Sequence, residues 1–390
     1  MISNIRTWNI NNRRVFLRVD LNVPITNGVI SNDFRLLSIL PTLDYLLSKN
    51  SMVVLATQRG KPNHRDESLS THILIPWFKK RGYTISYAAH PSHIVRVKII
   101  PKHIILLENL RFFEGEQTGD LLFAKQLAQT AEYYVNDAFA TMHRYDTSIS
   151  LLPYEFPENR RSIGFLVEKE LHALSQLKHP KKPYIAFLGG KKIADKIPLI
   201  TGLISIADTI VLCPALCFSF LAAQGYPIGQ SLIDSNTFST CRQILTLAED
   251  NKVSIIFPID YQIADKTTDG PLSYCDALNF PTDAFGIAIG PKTVTLLSHY
   301  ISHAHTIFFN GAMGFSEQPE TRQTTTELLQ LIADAQGKSI IAGGDTSEVV
   351  YSAQLQDKVD FLSTGGGAAL AYISRKELPG LLPFEEIIDH

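Results

Sequence analysis

Cysteine is scarce in this chain: four in 390 residues (Cys213, Cys217, Cys241 and Cys275), all in the second half and none in a CxxC pair. That usage reads as buried, reduced thiols rather than a disulfide framework, and suits a cytoplasmic protein. Charge is also sparse, at 19%, and 36 basic residues nearly cancel 38 acidic ones, so the totals suggest neither a histone-like protein nor an acidic tail. Long apolar runs are missing. No charge occurs between Asp208 and Asp234, but the apolar part, Ile210 to Ala223, is broken by Pro214 and followed by Gly225, Pro227 and Gly229. A spanning helix needs ~20 apolar residues, so this stretch reads as a buried strand and helix and no membrane association is expected. The N-terminal MISNIRTWNINNRR has no apolar h-region, so no secretory signal is expected. No GxxxxGK[ST] and no GxGxxG after a strand occur, which sets aside a Walker A protein and disfavours a dinucleotide dehydrogenase. No RNP-type run, DNA-reading helix, low-complexity tract or short repeat is present.

The hydrophobic fraction of 45% supports a sizeable core, and the length corresponds to two domains at ~100–200 residues each. Short apolar runs recur: Val15–Val23, Met52–Thr57, Ile104–Leu107 and Tyr133–Asn136, then Tyr184–Leu188, Thr209–Leu212, Val253–Ile259, Thr306–Phe309, Ser339–Ala342 and Phe361–Ser363. Continuous hydrophobicity marks strands buried on both faces, as in a parallel sheet covered by helices. Ser31–Lys49, Asp120–Glu132 and Thr324–Gln336 have the periodicity of crossover helices. The fold class is therefore α/β, with two such series. The boundary is expected near Gly164–Pro183, where the helix-like GFLVEKELHALSQL precedes KHPKKP. Divided at position 165, the first part carries 20 Lys+Arg against 14 Asp+Glu (+6) and the second 16 against 24 (−8). A small polyanion is the expected partner of the basic part.

In open α/β sheets, ligands bind beyond the carboxyl ends of the strands. There, VFLRVDLNVP sends Leu17, Val19 and Leu21 to one face and Arg18, Asp20 and Asn22 to the other, with a solvated edge strand as the competing reading. The next run tails carry Arg59 and Lys61, then Arg111, then His143 and Arg144, and Arg35 lies on the first helix. Guanidinium forks match phosphate and carboxylate oxygens bidentately. In the second half the tails are glycine-rich: LGGKKIADKI with Gly189, Gly190, Lys192 and Lys196; FNGAMG; AGGDT with Gly343, Gly344, Asp345 and Thr346; and STGGG with Gly365, Gly366 and Gly367. Glycine turns let backbone N–H groups approach phosphate, and a following helix N-terminus favours the anion. Asp345 and Thr346 offer oxygens to Mg²⁺. His303 and His305 read as a solvated or satisfied pair rather than metal ligands, because metal sites need three or four convergent ligands.

Together RVDLNVP, LLENLRF, YVNDAF…HR, GFLVEKEL, LGGKKIADKI, GDT and STGGGA resemble the phosphoglycerate kinase family, in that family's order and spacing through nearly the whole chain. The resemblance implies two Rossmann-like domains joined by a hinge helix. The first, 1–165 with a returning tail 375–390, would bind 3-phosphoglycerate or 1,3-bisphosphoglycerate. The second, 166–374, would bind Mg-ATP or Mg-ADP. By motif matching, Asp20 and Asn22 would hold the glycerate. Arg35, Arg111 and Arg144 would bind its phosphate and carboxylate, with Arg59, Lys61 and His143 beside them and Arg35 nearest the transferring group. Lys192 and Lys196 would hold nucleotide phosphates and the phosphoryl in flight, with Gly189, Gly190, Gly343, Gly344, Thr346 and Gly365–Gly367 lining them. Asp345 would coordinate Mg²⁺, and Asn310 and Glu317 would lie near the nucleotide. The family is usually monomeric, so a monomer is expected.

Departures from the family are local. Its SHLGRP turn reads TQRGKP here: Gln58 replaces a histidine that assists phosphate binding, Lys61 replaces an arginine, and Arg59 offers a compensating cation. A GGGMA-like segment near the base pocket reads Cys213-Pro214-Ala215-Leu216-Cys217. Ala312 stands for a proline, Lys191 for an alanine and Ala371 for a glutamate. The resemblance implies an active kinase with altered nucleotide affinity or base preference; the alternative is a nucleotide- or glycerate-binding relative without turnover.

Overall fold

Strands with no polar face can be stable only when covered on both sides. The run Met52–Ala56 (MVVLA) is buried at every residue and sits inside a six-stranded parallel sheet. Its spatial order is Thr84–Ala88, His103–Leu107, Met52–Ala56, Arg14–Val19, Tyr133–Asp137 and Arg161–Ile163. A second six-stranded parallel sheet runs Ser254–Ile256, Thr209–Leu212, Tyr184–Leu188, Thr306–Asn310, Lys338–Ala342 and Phe361–Ser363. The computed structural model describes residues 4–62, 64–190, 193–315 and 319–387, with residues 195, 319, 345, 386 and 387 described by their backbone alone. The chain divides into two units, Met1–His172 with Glu377–His390, and Ala173–Lys376.

In the first unit Arg14–Val19 is central, paired in parallel with Met52–Ala56 and Tyr133–Asp137, so the solvated-edge reading is excluded. Val15, Leu17, Val19 and Leu21 pack on one face with Leu36, Leu43 and Leu46. The strand closes at Val19, so Asp20 and Asn22 lie just past its carboxyl end, while Arg18 is wholly buried within it. The stretch Ser31–Lys49 is two helices, Phe34–Ser38 and Leu40–Ser48. Pro41 explains the break, because its ring and missing N–H suit the first turn of a helix and not its middle. The end of the chain returns to this unit: Gly380 N–H donates to the Met142 carbonyl at 2.9 Å, and buried Phe384 stacks on Tyr134 at 6.4 Å between ring centroids.

In the second unit Ile185, Phe187, Val211, Ile307, Phe309 and Ile341 form a sheet face under Leu297, Ile301, Leu328, Leu329 and Val349. The uncharged stretch after Asp208 is the strand Thr209–Leu212 and the buried helix Leu216–Ala223. Among the described residues no helix is long and apolar enough to cross a membrane. Cys213, Cys217 and Cys241 are buried and free, whereas Cys275 is half-buried on an antiparallel strand. That strand, Leu272–Asp276, pairs with Asp260–Asp265, which also pairs with Ala284–Ile289, forming a three-stranded antiparallel sheet that the run pattern does not announce.

Candidate active site

Parallel register aligns the strand ends, and the polar tails follow from them. In the first unit Arg18 pairs with Ala56 and Asn136, and Val19 with Asp137. Residues 20–22, 57–61, 108–111 and 138–144 therefore leave one carboxyl edge. Asp20 is nearly buried. Its Oδ2 accepts from the Arg35 guanidinium at 2.5 Å, and its Oδ1 accepts from Asn22 N–H at 3.1 Å. Asn22 Oδ1 in turn accepts from Gly60 N–H at 3.0 Å. Arg111 is buried, donates to the Gly60 carbonyl, and stands 3.7 Å from Asp146. Arg144 and His143 are half-buried, and Lys61 is exposed.

The electrostatics of this edge are those of crowded cations. Burial pushes the Arg111 guanidinium below its usual value, and Arg144 and Arg18 push the same way against Asp146. His143 is likewise lowered, by burial first and then by Arg144, with Asp146 and Asp20 opposing. The Nε atoms of Arg111 and Arg144 and Nδ1 of His143 are buried and make no hydrogen bond among the described residues. Arg59 faces elsewhere. Its guanidinium donates to the Ser70 carbonyl at 2.7 Å and the Ser68 carbonyl at 3.4 Å, and burial lowers its pKa against the opposing charge of Glu108.

In the second unit Asn310 pairs with both Leu188 and Ala342, and Ala342 with Ser363. The glycine turns at 189–190, 311, 343–344 and 365–367 thus share one edge. Gly189 N–H donates to the Asn310 carbonyl at 2.9 Å, and a Cβ on Gly189 would stand 2.1 Å from the Ala312 carbonyl oxygen, so only glycine fits that approach. Gly343 precedes the helix Gly344–Ser352 at φ +120°, a conformation that side chains rarely adopt. Gly365 precedes Gly366–Ile373, and among the described residues neither helix start is capped by a side chain. Their first N–H groups therefore remain open to an anion. Lys196, on Ile193–Ile204, donates to Asn310 Oδ1. Asn310 Nδ2 donates to the Ala342 carbonyl at 2.9 Å, and Thr346 Oγ1 accepts from Gly311 N–H at 3.1 Å. Lys192 and Glu317 lie outside the described residues, and Asp345 is placed only by its backbone, in the first turn of Gly344–Ser352.

Away from this edge, His303 and His305 are exposed, with Nδ1 of each near a carbonyl oxygen, that of His299 at 2.8 Å and that of Lys182 at 2.5 Å. Behind Asp20 stand Arg18 and Gln58, together with Ser148 and Glu116, which the motif reading passed over. Arg18 donates through Nε to Ser148 Oγ at 2.7 Å and lies 3.9 Å from buried Glu116, and it also donates to Gln58 Oε1. The sequence signal was present in Arg18, which has no reason to occupy a buried strand without a buried partner.

Comparison with known proteins finds relatives over nearly the whole chain. The profile of the phosphoglycerate kinase family matches residues 5–376. A phosphoglycerate kinase of Akkermansia muciniphila is 36% identical over 389 residues, covering 97% of this chain and 96% of its own. One of Bdellovibrio bacteriovorus is 34% identical over 392 residues, covering 97% and 96%. The solved phosphoglycerate kinase of Coxiella burnetii superposes with a TM-score of 0.82 at 30% identity, covering 98% of each chain. That of Pyrococcus horikoshii gives 0.81 at 27% identity, covering 99% of this chain and 98% of its own. With the motifs, the two parallel sheets and these relatives in agreement, the chain belongs to the phosphoglycerate kinase family.

Proposed function

We propose that the chain transfers a phosphoryl group reversibly between 1,3-bisphosphoglycerate and ADP, giving 3-phosphoglycerate and ATP. The observation that carries this reading is the set of buried guanidinium and imidazole nitrogens at Arg111, Arg144 and His143 without acceptors. A buried donor left without an acceptor is costly, and a ligand rich in anionic oxygens relieves that cost. Asp20 and Asn22 hold the glycerate hydroxyl and backbone. Arg35, Arg111, Arg144 and His143 take its phosphate and carboxylate, with Lys61 at the exposed rim. Arg59 Nε is likewise buried without an acceptor, but its guanidinium is turned to the carbonyls of Ser68 and Ser70, and it is left out of the set.

In the second unit the uncapped helix starts and the turns at Gly189–Gly190, Gly343–Gly344 and Gly365–Gly367 receive the nucleotide phosphates, with Lys192 and Lys196 neutralising them. Asn310 orients Lys196, Thr346 braces the turn after Asn310, and Glu317 serves the nucleotide as its motif position implies. Mg²⁺ takes a carboxylate or two and completes its shell from water and substrate phosphates, so Asp345 at an uncapped helix start fits as its ligand. When bound, Mg²⁺ supplies charge neutralisation for the transferring phosphoryl group.

No general base is required, since the acyl phosphate is already a good leaving group. Phosphoryl transfer rests on positioning and on stabilising charge spread over the phosphoryl oxygens. Arg35 and the two lysines supply that charge. On this reading the protein works in the cytoplasm as a monomer, with no nucleic-acid or membrane partner. A coupled assay with 3-phosphoglycerate, Mg²⁺ and either ATP or GTP is expected to show turnover. Ligand binding with no turnover on either nucleotide would instead establish the binding-protein reading.

A further inference from the structure

The transfer mechanism gives position 58 no task, yet Gln58 is 3% exposed and both ends of its amide are engaged. Its Oε1 accepts from Arg18, and its Nε2 faces Asp20 Oδ1 at 3.5 Å. Arg18 is anchored from behind by Ser148 Oγ at 2.7 Å, and that hydroxyl donates to Glu116 Oε1 at 2.6 Å. The other oxygen of Asp20 receives Arg35 at 2.5 Å. A continuous line of polar contacts thus runs Glu116, Ser148, Arg18, Gln58, Asp20, Arg35. We propose that Gln58 is a positioning residue: its amide couples the buried Arg18 to Asp20 and so fixes the carboxylate that orients Arg35. This rests on the phosphoryl-transfer reading given above.

The chemistry of the position is restrictive. Toward Arg18 the side chain must accept, because a guanidinium only donates; toward Asp20 it must donate, because a carboxylate only accepts. A primary amide does both at every pH. A histidine does both only when neutral, and a glutamate only accepts. The charged groups around Gln58 are Arg18 and Asp20, with Glu116 beyond Arg18, and Arg35 and His143 beyond Asp20. Because Oε1 is occupied and the side chain is nearly buried, Gln58 acts through Asp20 and not on the substrate. Where the family turn carries a histidine, this chain has a bridge that does not titrate.

The test uses the full-length chain as wild type, Gln58→Glu and Gln58→His. It measures kcat and both KM values across about pH 5.5–8.5, calorimetric binding of 3-phosphoglycerate, and the unfolding midpoint. Gln58→Glu is expected to lower kcat by about tenfold or more, with KM for Mg-ATP unchanged, because small displacements of a charge-stabilising group are costly. Gln58→His is expected to match wild type within about twofold near pH 8 and to fall away from it as the imidazole protonates near pH 6.5. A folded Gln58→Glu chain with wild-type kcat overturns the proposal. If Gln58→Glu does not fold, Gln58→His decides alone, and a kcat ratio to wild type that is flat with pH overturns it. A wild-type chain that binds 3-phosphoglycerate without turnover overturns the function reading instead. The positioning role is then decided by affinity: Gln58→Glu binding about tenfold more weakly than wild type supports it, and equal binding overturns it.

Discussion

Arg35 illustrates what one residue contributes at this site. It stands on the five-residue helix Phe34–Ser38, and its guanidinium meets Asp20 just past the end of the central strand. On the proposed function, the pairing holds a cation beside the transferring phosphoryl group. Arg35→Ala is expected to lower kcat by ~10²–10³-fold through loss of charge stabilisation in the transition state, with the unfolding midpoint little changed. Arg35→Lys should recover only part, since an ammonium keeps the charge and loses the planar fork. A loss of less than about tenfold in Arg35→Ala would show that Arg35 is not beside the reacting group. At this scale the sequence revealed chemistry better than connection. Arg35, Asp20, Arg111 and Arg144 stood out because cations and carboxylates at strand ends need a reason. Ser148 did not, because a hydroxyl is common anywhere in a chain, and Gln58 stood out only as a replacement for the family histidine; it is their contacts to Arg18 that connect them. Arg59 shows the converse: its charge is conspicuous in the sequence, while the direction of its guanidinium is set by the carbonyls of Ser68 and Ser70.

The helix Phe165–Ser175 shows how an element is started from a distance. Asp137, at the end of its strand, accepts from the backbone N–H groups of Leu166 at 3.0 Å and Val167 at 3.2 Å, which satisfies two of the helix's otherwise open donors. Gly164 makes the approach possible, since a Cβ there would lie 2.3 Å from Asp137 Oδ1. Burial outweighs these donors and pushes the Asp137 carboxyl up to about 7. A carboxyl whose folded-state pKa exceeds its unfolded value of about 4 keeps its proton longer in the folded chain. Its stabilising contribution is complete below that unfolded value and is lost as pH rises through about 7. The unfolding midpoint should therefore fall between about pH 4 and 7, and fall less in Asp137→Asn, with buried Glu116 contributing a residual slope of the same sign. Identical slopes in the two proteins would remove Asp137 from the account. Tyr184–Leu188 and Thr209–Leu212 were legible because they are apolar and buried along nearly their whole length. Thr84–Ala88 was not legible, because as an edge strand it alternates between exposed and buried residues, and Leu272–Asp276 is mostly exposed.

Across the whole molecule the distribution of charge changes once the chain's return is known. Cut at position 165, the two parts carry +6 and −8. Cut where the structure divides, the first unit gains Glu168, Lys169 and Glu170 from the longer boundary and Glu377, Glu385, Glu386 and Asp389 from the chain's end, giving 21 basic against 20 acidic residues, or +1; the second has 15 against 18, or −3. The basic half was thus a product of cutting a chain whose acidic end belongs with its beginning. On the proposed function, attraction for an anionic substrate would reside in a local set, Arg35, Arg111, Arg144 and His143, and not in the unit as a whole. That distinction has a measurable consequence. A unit with a large net charge would draw a trianion over many ångströms, and the effect would fade as salt shortens the screening length from about 30 Å at 0.01 M to about 8 Å at 0.15 M. A partly buried cluster on a nearly neutral unit is screened much less. The affinity of the full chain for 3-phosphoglycerate should therefore weaken over that salt range, but by less than about tenfold. The loss should come mainly from faster dissociation, since long-range steering acts on association. A steeper loss, carried by the association rate, would restore the whole-unit field as the source of attraction.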